Sequence, residues 1–190
     1  MTRFHWVRHG PTHAKTFVGW RDVPADLSDT AQIARLNALL PLNAVVVSSD
    51  LSRAVATADT LGRTRLPNDA GLREFNFGDW DGLPFDQVAA SAPDLSRAYW
   101  ETPGDVTPPN GESWNRAAAR ITPCVARLGA DHPGADIIIV AHYGVILTQI
   151  QAALGITAAQ ALKFKIDNLS ITTIIDHGAG HSIARINHIP

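Results

Sequence analysis

The run Asp136-Ile137-Ile138-Ile139-Val140-Ala141 is the feature that most narrows what this chain can fold into. An unbroken apolar stretch rich in β-branched residues has no polar face to offer water, so it must be a strand covered on both sides. Such strands belong to parallel or mostly parallel sheets flanked by helices. Ala44-Val45-Val46-Val47 repeats the pattern, and Phe4-His5-Trp6-Val7 has the aromatic and β-branched character of a first strand. The first strand ends in Arg8-His9-Gly10-Pro11, where Gly-Pro stops strand and helix alike, and the late one ends in His142 before Gly144 opens a helix. Ligands of open α/β sheets bind at the carboxyl ends of strands, so the two imidazoles point to a shared site.

The rest of the chain alternates helices and loops. Ser28 or Asp29 can cap a helix with the apolar face Ile33, Leu36 and Leu40. Ser48-Ser49-Asp50 leads into a helix from Leu51 to Leu61, closed by Gly62, and a short strand is expected within Arg65 to Asp69. Gly111-Glu112-Ser113 starts a helix reaching about Leu128, with Ala117, Ile121 and Val125 at helical spacing, and a short helix is expected near Thr157 to Lys163. Two last strands, Ile166 to Ile175 and Ser182 to Ile189, are joined by His177-Gly178-Ala179-Gly180-His181. They read as a hairpin, which makes the sheet mixed. From about 83 to 112 the pattern changes to short helical stretches and the loop Thr102-Pro103-Gly104-Asp105-Val106-Thr107-Pro108-Pro109, an insertion expected over the sheet edge as a lid. No repeat or linker divides the 190 residues, which read as a single domain, 1–190.

Composition removes several classes of function. A net charge of −2 and a pI near 6.4 give no basic field for nucleic acid or an acidic membrane surface. A single cysteine, Cys124, excludes an internal disulfide and a thiolate metal cluster. His5, His9 and His13 would align on a helix as metal ligands, but Gly10-Pro11 interrupts the spacing and the segment is a strand. No metal and no cofactor is expected. The N-terminus runs directly into the first strand, with no signal-peptide pattern and no long apolar span, so the expected location is the cytoplasm, with no membrane partner.

Strand ends thus carry Arg8-His9, the Ser48 to Arg53 turn and His142, with Glu74 heading the irregular loop Leu72-Arg73-Glu74-Phe75-Asn76-Phe77-Gly78-Asp79-Trp80-Asp81-Gly82. Arg53 lies in a first helical turn, where the macrodipole opposes a cation, so it calls for an anionic counterpart. Two imidazoles and two guanidiniums in one crevice repel when alone, and a tetrahedral dianion reverses that, because Arg binds phosphate oxygens in bidentate fashion. The ligand class read from these residues is phosphate.

These motifs resemble the histidine phosphatase superfamily, the phosphoglycerate-mutase-like fold. Arg8-His9-Gly10 followed by Thr12 is similar to its opening motif, Ser49 to Ala54 to its second-arginine segment, and Val140-Ala141-His142 to its second-histidine segment. Leu72 to Gly82 resembles its acid-bearing loop, and Gly111-Glu112-Ser113 its lead-in to the next helix. Pro11, Lys15 and Tyr143 depart from the common pattern at positions that bear on substrate contacts. Pattern and resemblance together imply an α/β fold, a three-layer α/β/α sandwich with a mostly parallel mixed sheet and a C-terminal antiparallel hairpin.

By that resemblance His9 is the nucleophile that forms a phosphohistidine, Arg8, Arg53 and His142 bind and stabilise the phosphoryl oxygens, and Glu74 is the general acid and base, with Asp79 and Asp81 as other candidates in the same loop. Thr12, Tyr143, Lys15 and Arg21 join Arg8, Arg53 and His142 as expected substrate contacts, while Trp20, Phe77, Trp80 and Trp100 are candidates for the leaving-group side. The expected activity is a phosphomonoester hydrolase acting on a small phosphorylated metabolite. A phosphoglycerate-type mutase and a non-catalytic phospholigand-binding module are the alternatives. The assembly is open, with a homodimer among the options.

Overall fold

The computed structural model describes residues 1–190. In chain order its elements are β1 (Thr2–Arg8), α1 (Thr30–Leu39), β2 (Val45–Ser48), α2 (Ser52–Asp59), α3 (Phe85–Ser91), α4 (Pro93–Glu101), α5 (Trp114–Asp131), β3 (Asp136–Ala141), α6 (Tyr143–Leu154), α7 (Ala158–Ala161), β4 (Ile171–Asp176) and β5 (His181–His188). The strands form one sheet in the order β2-β3-β1-β4-β5. β1, β2 and β3 run parallel, β4 runs against β1, and β5 returns against β4, so the mixed sheet and the closing hairpin are as the sequence implies.

Both faces of the sheet are covered, and the pleat sorts side chains between them. Phe4, Trp6, Ile137, Ile139 and Ile174 pack with Ile121 and Leu128 of α5 and with Ile146, Leu147 and Ile150 of α6. Val7, Val46, Ile138, Val140 and Ile171 point the other way, against Leu36 of α1 and Ala54 and Ala58 of α2. This is why the late strand could be an unbroken apolar run: with both sides dry, each isoleucine contributes about 1.5–3 kcal/mol of burial. No helix is long and apolar enough to cross a membrane.

Local chemistry sets the helix ends. The Asp29 carboxylate accepts from Gln32 N to start α1, Ser113 Oγ accepts from Arg116 N to start α5, and Thr157 with Gln160 forms a capping box on α7. Gly155 takes a left-handed conformation to end α6.

Two expected strands are shorter than their sequences suggest. Arg65 to Asp69 forms no strand; a single parallel bridge joins Arg65 to Val46, with Val46 N donating to Thr64 O and Leu66 N to Val46 O. Only Asp69 N, donating to Ser48 O, returns to β2, so no continuous ladder forms, while the Arg65 side chain turns to Ser48, Asn68 and Asp59. The strand expected from Ile166 begins only at Ile171, because Leu169 has φ of 60° and breaks the extended backbone, with its N–H donating to Arg8 O at 2.9 Å.

Residues 83–112 are helical in α3 and α4 and irregular afterwards. A separate apolar cluster of Phe17, Trp80, Val88 and Tyr99 ties α3 and α4 to the loop after β1. The loop following α4 closes against the acid-bearing loop at Gly78, whose φ is 53° and whose missing Cβ would lie 2.0 Å from Pro109 O. Any side chain there is both strained and in collision with backbone. Gly78→Ala is therefore expected to cost about 2 kcal/mol or more, a fall in Tm of roughly 4–8 °C for a chain of this size. Calorimetry checks this, and an unchanged Tm would show that the two loops do not depend on that contact.

Candidate active site

Register brings the two imidazoles together. β1 pairs with β3 so that Arg8 stands beside Ala141, and the next residue on each strand is a histidine. His9 N donates to Ala141 O at 3.0 Å, which carries the pairing one step past the ladder, and the His9 and His142 rings lie 5.1 Å apart at 59°. Ser49 N donates to Val140 O at 3.1 Å, so the end of β2 reaches the same edge and α2 starts there with Arg53 in its first turn. Three strand ends and Glu74 thus meet, as the sequence motifs imply.

The turn after β1 fixes the His9 tautomer. His9 Nδ1 lies 2.7 Å from Gly10 O, and since a carbonyl only accepts, Nδ1 carries the proton and Nε2 holds the lone pair. Gly10 N donates to Thr57 Oγ1 at 2.9 Å and Asn168 Nδ2 donates to His9 O at 2.7 Å, so the peptide behind the ring is clamped from α2 and from the residues before β4. Burial first, then the positive field of Arg53, holds His9 down to about 3, against the opposing pull of Gly10 O. Burial, with the fields of His9, Arg53 and Arg8, keeps His142 well below its ordinary value too. Both rings are neutral near pH 7. His142 is fully buried, and neither of its ring nitrogens has a hydrogen-bond partner in the chain.

The guanidiniums are held by carbonyls, not by carboxylates. Arg53, fully buried, donates to Gly19 O at 2.7 Å and Arg21 O at 3.1 Å, and Arg8 donates to Ile166 O at 2.6 Å while lying 5.3 Å from the Tyr143 ring centre. Nε of each is buried without a partner. Carbonyl oxygens satisfy donors but leave the charge in place, so both cations remain available to an anion. The counterpart expected for Arg53 is not a salt bridge within the chain. Asp22 instead accepts from Ser52 N and Ser52 Oγ at the start of α2, a carboxylate at a helix N-terminus.

Glu74 faces this cluster from the acid-bearing loop. Its carboxylate accepts from Phe75 N at 3.0 Å and from Gly144 N at 3.2 Å, at the first turn of α6. Burial raises its pKa, the two amides and then the two arginines pull it back, and the balance is upward. A Cβ on Gly144 would meet Glu74 Oε1 at 2.7 Å, so that glycine leaves room for the carboxylate. Asp79 and Asp81 point elsewhere: Asp79 accepts from Asn110 Nδ2, and Asp81 from Gly19 N and Arg21 N.

The other expected contacts scatter. Tyr143 is half-buried over Arg8, and Thr12 half-buried in the turn after Pro11. Lys15 is exposed. The Arg21 guanidinium donates to Thr16 Oγ1 and lies 3.8 Å from Asp81, while its carbonyl holds Arg53. Trp80 is core, and Trp20 donates to Glu74 O at 2.8 Å between the guanidiniums of Arg73 and Arg120. Phe77 and Trp100 do line a pocket beside Glu74.

Arg120 escaped the sequence reading. From α5 it donates to the carbonyls of Gly71, Arg73 and Glu74 and pairs with Glu112 at 2.7 Å, and Glu112 in turn accepts from Asn76 N. Its partners are mainly backbone atoms far away in sequence, and no spacing rule announces those. Thr57 and Asn168 were missed for similar reasons, since their partners are the backbone of Gly10, Arg53 and His9.

Known proteins resemble this chain in sequence and in fold along most of its length. The sequence model described as histidine phosphatase superfamily (branch 1) matches residues 4–189. A glucosyl-3-phosphoglycerate phosphatase of Mycobacterium tuberculosis is 37% identical over 175 residues, covering 83% of this chain and 77% of the relative. A solved mycobacterial structure of that phosphatase superimposes with a TM-score of 0.85 at 30% identity, covering 99% of both chains. A 2,3-bisphosphoglycerate-dependent phosphoglycerate mutase of Brucella anthropi is 30% identical over 193 residues, covering 94% of this chain and 93% of the relative. A bifunctional protein of Mycobacterium tuberculosis is 30% identical over 201 residues; the match takes in 97% of this chain but spans only about half, 53%, of that relative.

The buried imidazoles give a pH dependence whose sign is fixed. His5, His9 and His142 all have folded pKa values below 6.5, His5 mainly through burial, so the unfolded chain takes up these protons first. Stability is complete above about pH 6.5 and falls as pH drops through the window toward 3. Urea midpoints should decline from pH 7 to 5, His9→Asn should flatten the decline, and inorganic phosphate, which favours protonated rings, should oppose it. A midpoint independent of pH over that range would contradict the burial of neutral imidazoles.

Proposed function

Because this chain belongs to the histidine phosphatase superfamily, branch 1, we propose that it hydrolyses a small phosphomonoester through a phosphohistidine formed on His9. The observation that carries this reading is the His9 tautomer: with Nδ1 bound to Gly10 O, the Nε2 lone pair is left free on a ring that lies 5.1 Å from the neutral, unpartnered His142, in the fields of Arg53 and Arg8. The named relatives, a phosphatase matched in sequence and in structure and a mutase, support a phosphoryl-transfer enzyme. No cofactor enters the scheme.

In the first step His9 Nε2 attacks phosphorus, the bond to the leaving oxygen breaks, and Glu74 donates its proton to that oxygen. The Nδ1–H bond to Gly10 O supports the positive charge that develops on the ring. Arg8, Arg53 and His142 supply donors to the phosphoryl oxygens, fixed in place before reaction and therefore needing little reorganisation. In the second step Glu74 takes a proton from water, water oxygen attacks phosphorus, and the P–N bond breaks to return neutral His9 and inorganic phosphate. Residues 83–112, with α3 and α4, are read as the cover of this site.

The mutase relative favours a second reading, in which the phosphoryl group returns to another oxygen of the substrate before water arrives. Turnover in ¹⁸O-water separates the two: hydrolysis through a phosphohistidine puts one labelled oxygen into the phosphate released, and a mutase puts none into its product.

Two variants test the assignments. His9→Ala should reduce turnover at least about 10³-fold with the fold retained, and rapid quench of the wild type should trap an acid-labile, base-stable phosphoryl group on His9. An active alanine variant would sink the nucleophile. Glu74→Gln should lower kcat/KM for alkyl phosphates by about 10²- to 10⁴-fold and for nitrophenyl phosphate far less, since that leaving group departs without a proton. Equal losses on both would mean that Glu74 holds the loop or the substrate instead. A chelator should leave the rate unchanged, because the cations of this scheme are side chains, and activity that returns only with added metal would overturn it.

A further inference from the structure

Beside the imidazole and guanidinium cluster lies a pocket of opposite character. Glu74, Tyr143 and Gly144 border both, so the two spaces adjoin at the side from which the leaving oxygen is protonated. The walls come from Phe77, Trp100, Val106, Leu147 and Leu162, and no Lys, Arg or His lines it. A leaving group with a carboxylate would be stripped of water there beside Glu74, with no cation to meet it.

Tyr99 is the exception among apolar walls. It is only 5% exposed, packed edge-on to Trp80 at 5.4 Å and Trp100 at 5.0 Å, and its hydroxyl is buried with no hydrogen-bond partner in the chain. Phenylalanine would pack as well without the cost of an unpaired buried hydroxyl. Burial, then the negative fields of Glu74 and Glu112, raises the ionisation of that hydroxyl, so Oη is a donor throughout the working range.

We propose that this pocket takes an uncharged, apolar leaving group, an aromatic or branched alkyl alcohol, and that Tyr99 Oη donates a hydrogen bond to an oxygen within it. The inference rests on the phosphomonoesterase reading above and names the substrate class of the same site. The conditions for recognition are asymmetric. The phosphoryl end meets fixed cations, and the alcohol end meets aromatic rings with one donor, so discrimination between substrates falls on the alcohol.

The test is a comparison of kcat/KM for three esters with the purified enzyme: 3-phenylpropyl phosphate, its isostere 2-phenoxyethyl phosphate with an ether oxygen in place of one methylene, and phosphoserine. Both phenyl esters should exceed phosphoserine by about 100-fold or more. Tyr99→Phe should lower kcat/KM for the phenoxyethyl ester by about 3- to 10-fold and leave the phenylpropyl ester unchanged, while Trp100→Ala should raise KM for both. Phosphoserine turned over as well as the phenyl esters would overturn the apolar assignment with the phosphatase reading intact. A Tyr99→Phe effect equal on both phenyl esters, or absent from both, would overturn the donor role. Hydrolysis of none of the three, nor of nitrophenyl phosphate, would overturn the phosphatase reading itself and this inference with it.

Discussion

In-register parallel pairing of β1 with β3 is the constraint on which the site depends. Arg8 opposite Ala141 places His9 and His142 side by side one residue beyond the last paired position, where the backbone is free to turn. A slip of one residue would send one imidazole to the other face of the sheet. The register is secured by the cores on both faces, since Phe4, Trp6, Ile137 and Ile139 must face α5 and α6 while Val7, Ile138 and Val140 face α1 and α2. The apolar sequence of the strands and the position of the chemistry are therefore one requirement, met by the same residues.

Concentrating two guanidiniums and two imidazoles at one sheet edge is unfavourable, and the surroundings moderate it without cancelling it. Burial keeps the imidazoles neutral, carbonyls of Gly19, Arg21 and Ile166 satisfy part of each guanidinium, and Glu74 sits where two amides and both arginines oppose its desolvation. Carboxylates close enough to form ion pairs with Arg8 or Arg53 are absent. A carboxylate paired with either guanidinium would compete with an incoming anion for its charge and its donors.

How much of this could be read from the sequence depended on the kind of interaction. The strand runs, the two strand ends at His9 and His142, the Asp29 or Ser28 start of α1 and the closing hairpin follow from local rules, and all are in the structure. Arg53 stood out because its charge opposed its helix position. What local rules missed is held by distant backbone. Leu169 turns left-handed where a strand was expected, Arg65 leaves the sheet after one bridge, and Arg120 fastens the Glu74 loop through carbonyls that no motif encodes. Arg21 and Trp20 looked like substrate contacts because they are large and lie in a loop near the site; in the fold they secure Arg53 and Glu74.

The walls of the apolar pocket are unevenly drawn from the chain. Trp100, Pro103 and Val106 come from α4 and the loop after it, a segment that supplies no strand to the sheet and no member of the imidazole and guanidinium cluster. Its attachment runs through the Phe17 cluster and the Gly78 contact, away from the β1–β3 register. Mutational drift in that segment can thus reshape the pocket while the imidazole and guanidinium cluster stays as it is, so descendants of such a chain would diversify by replacing a surface loop rather than by rebuilding a core.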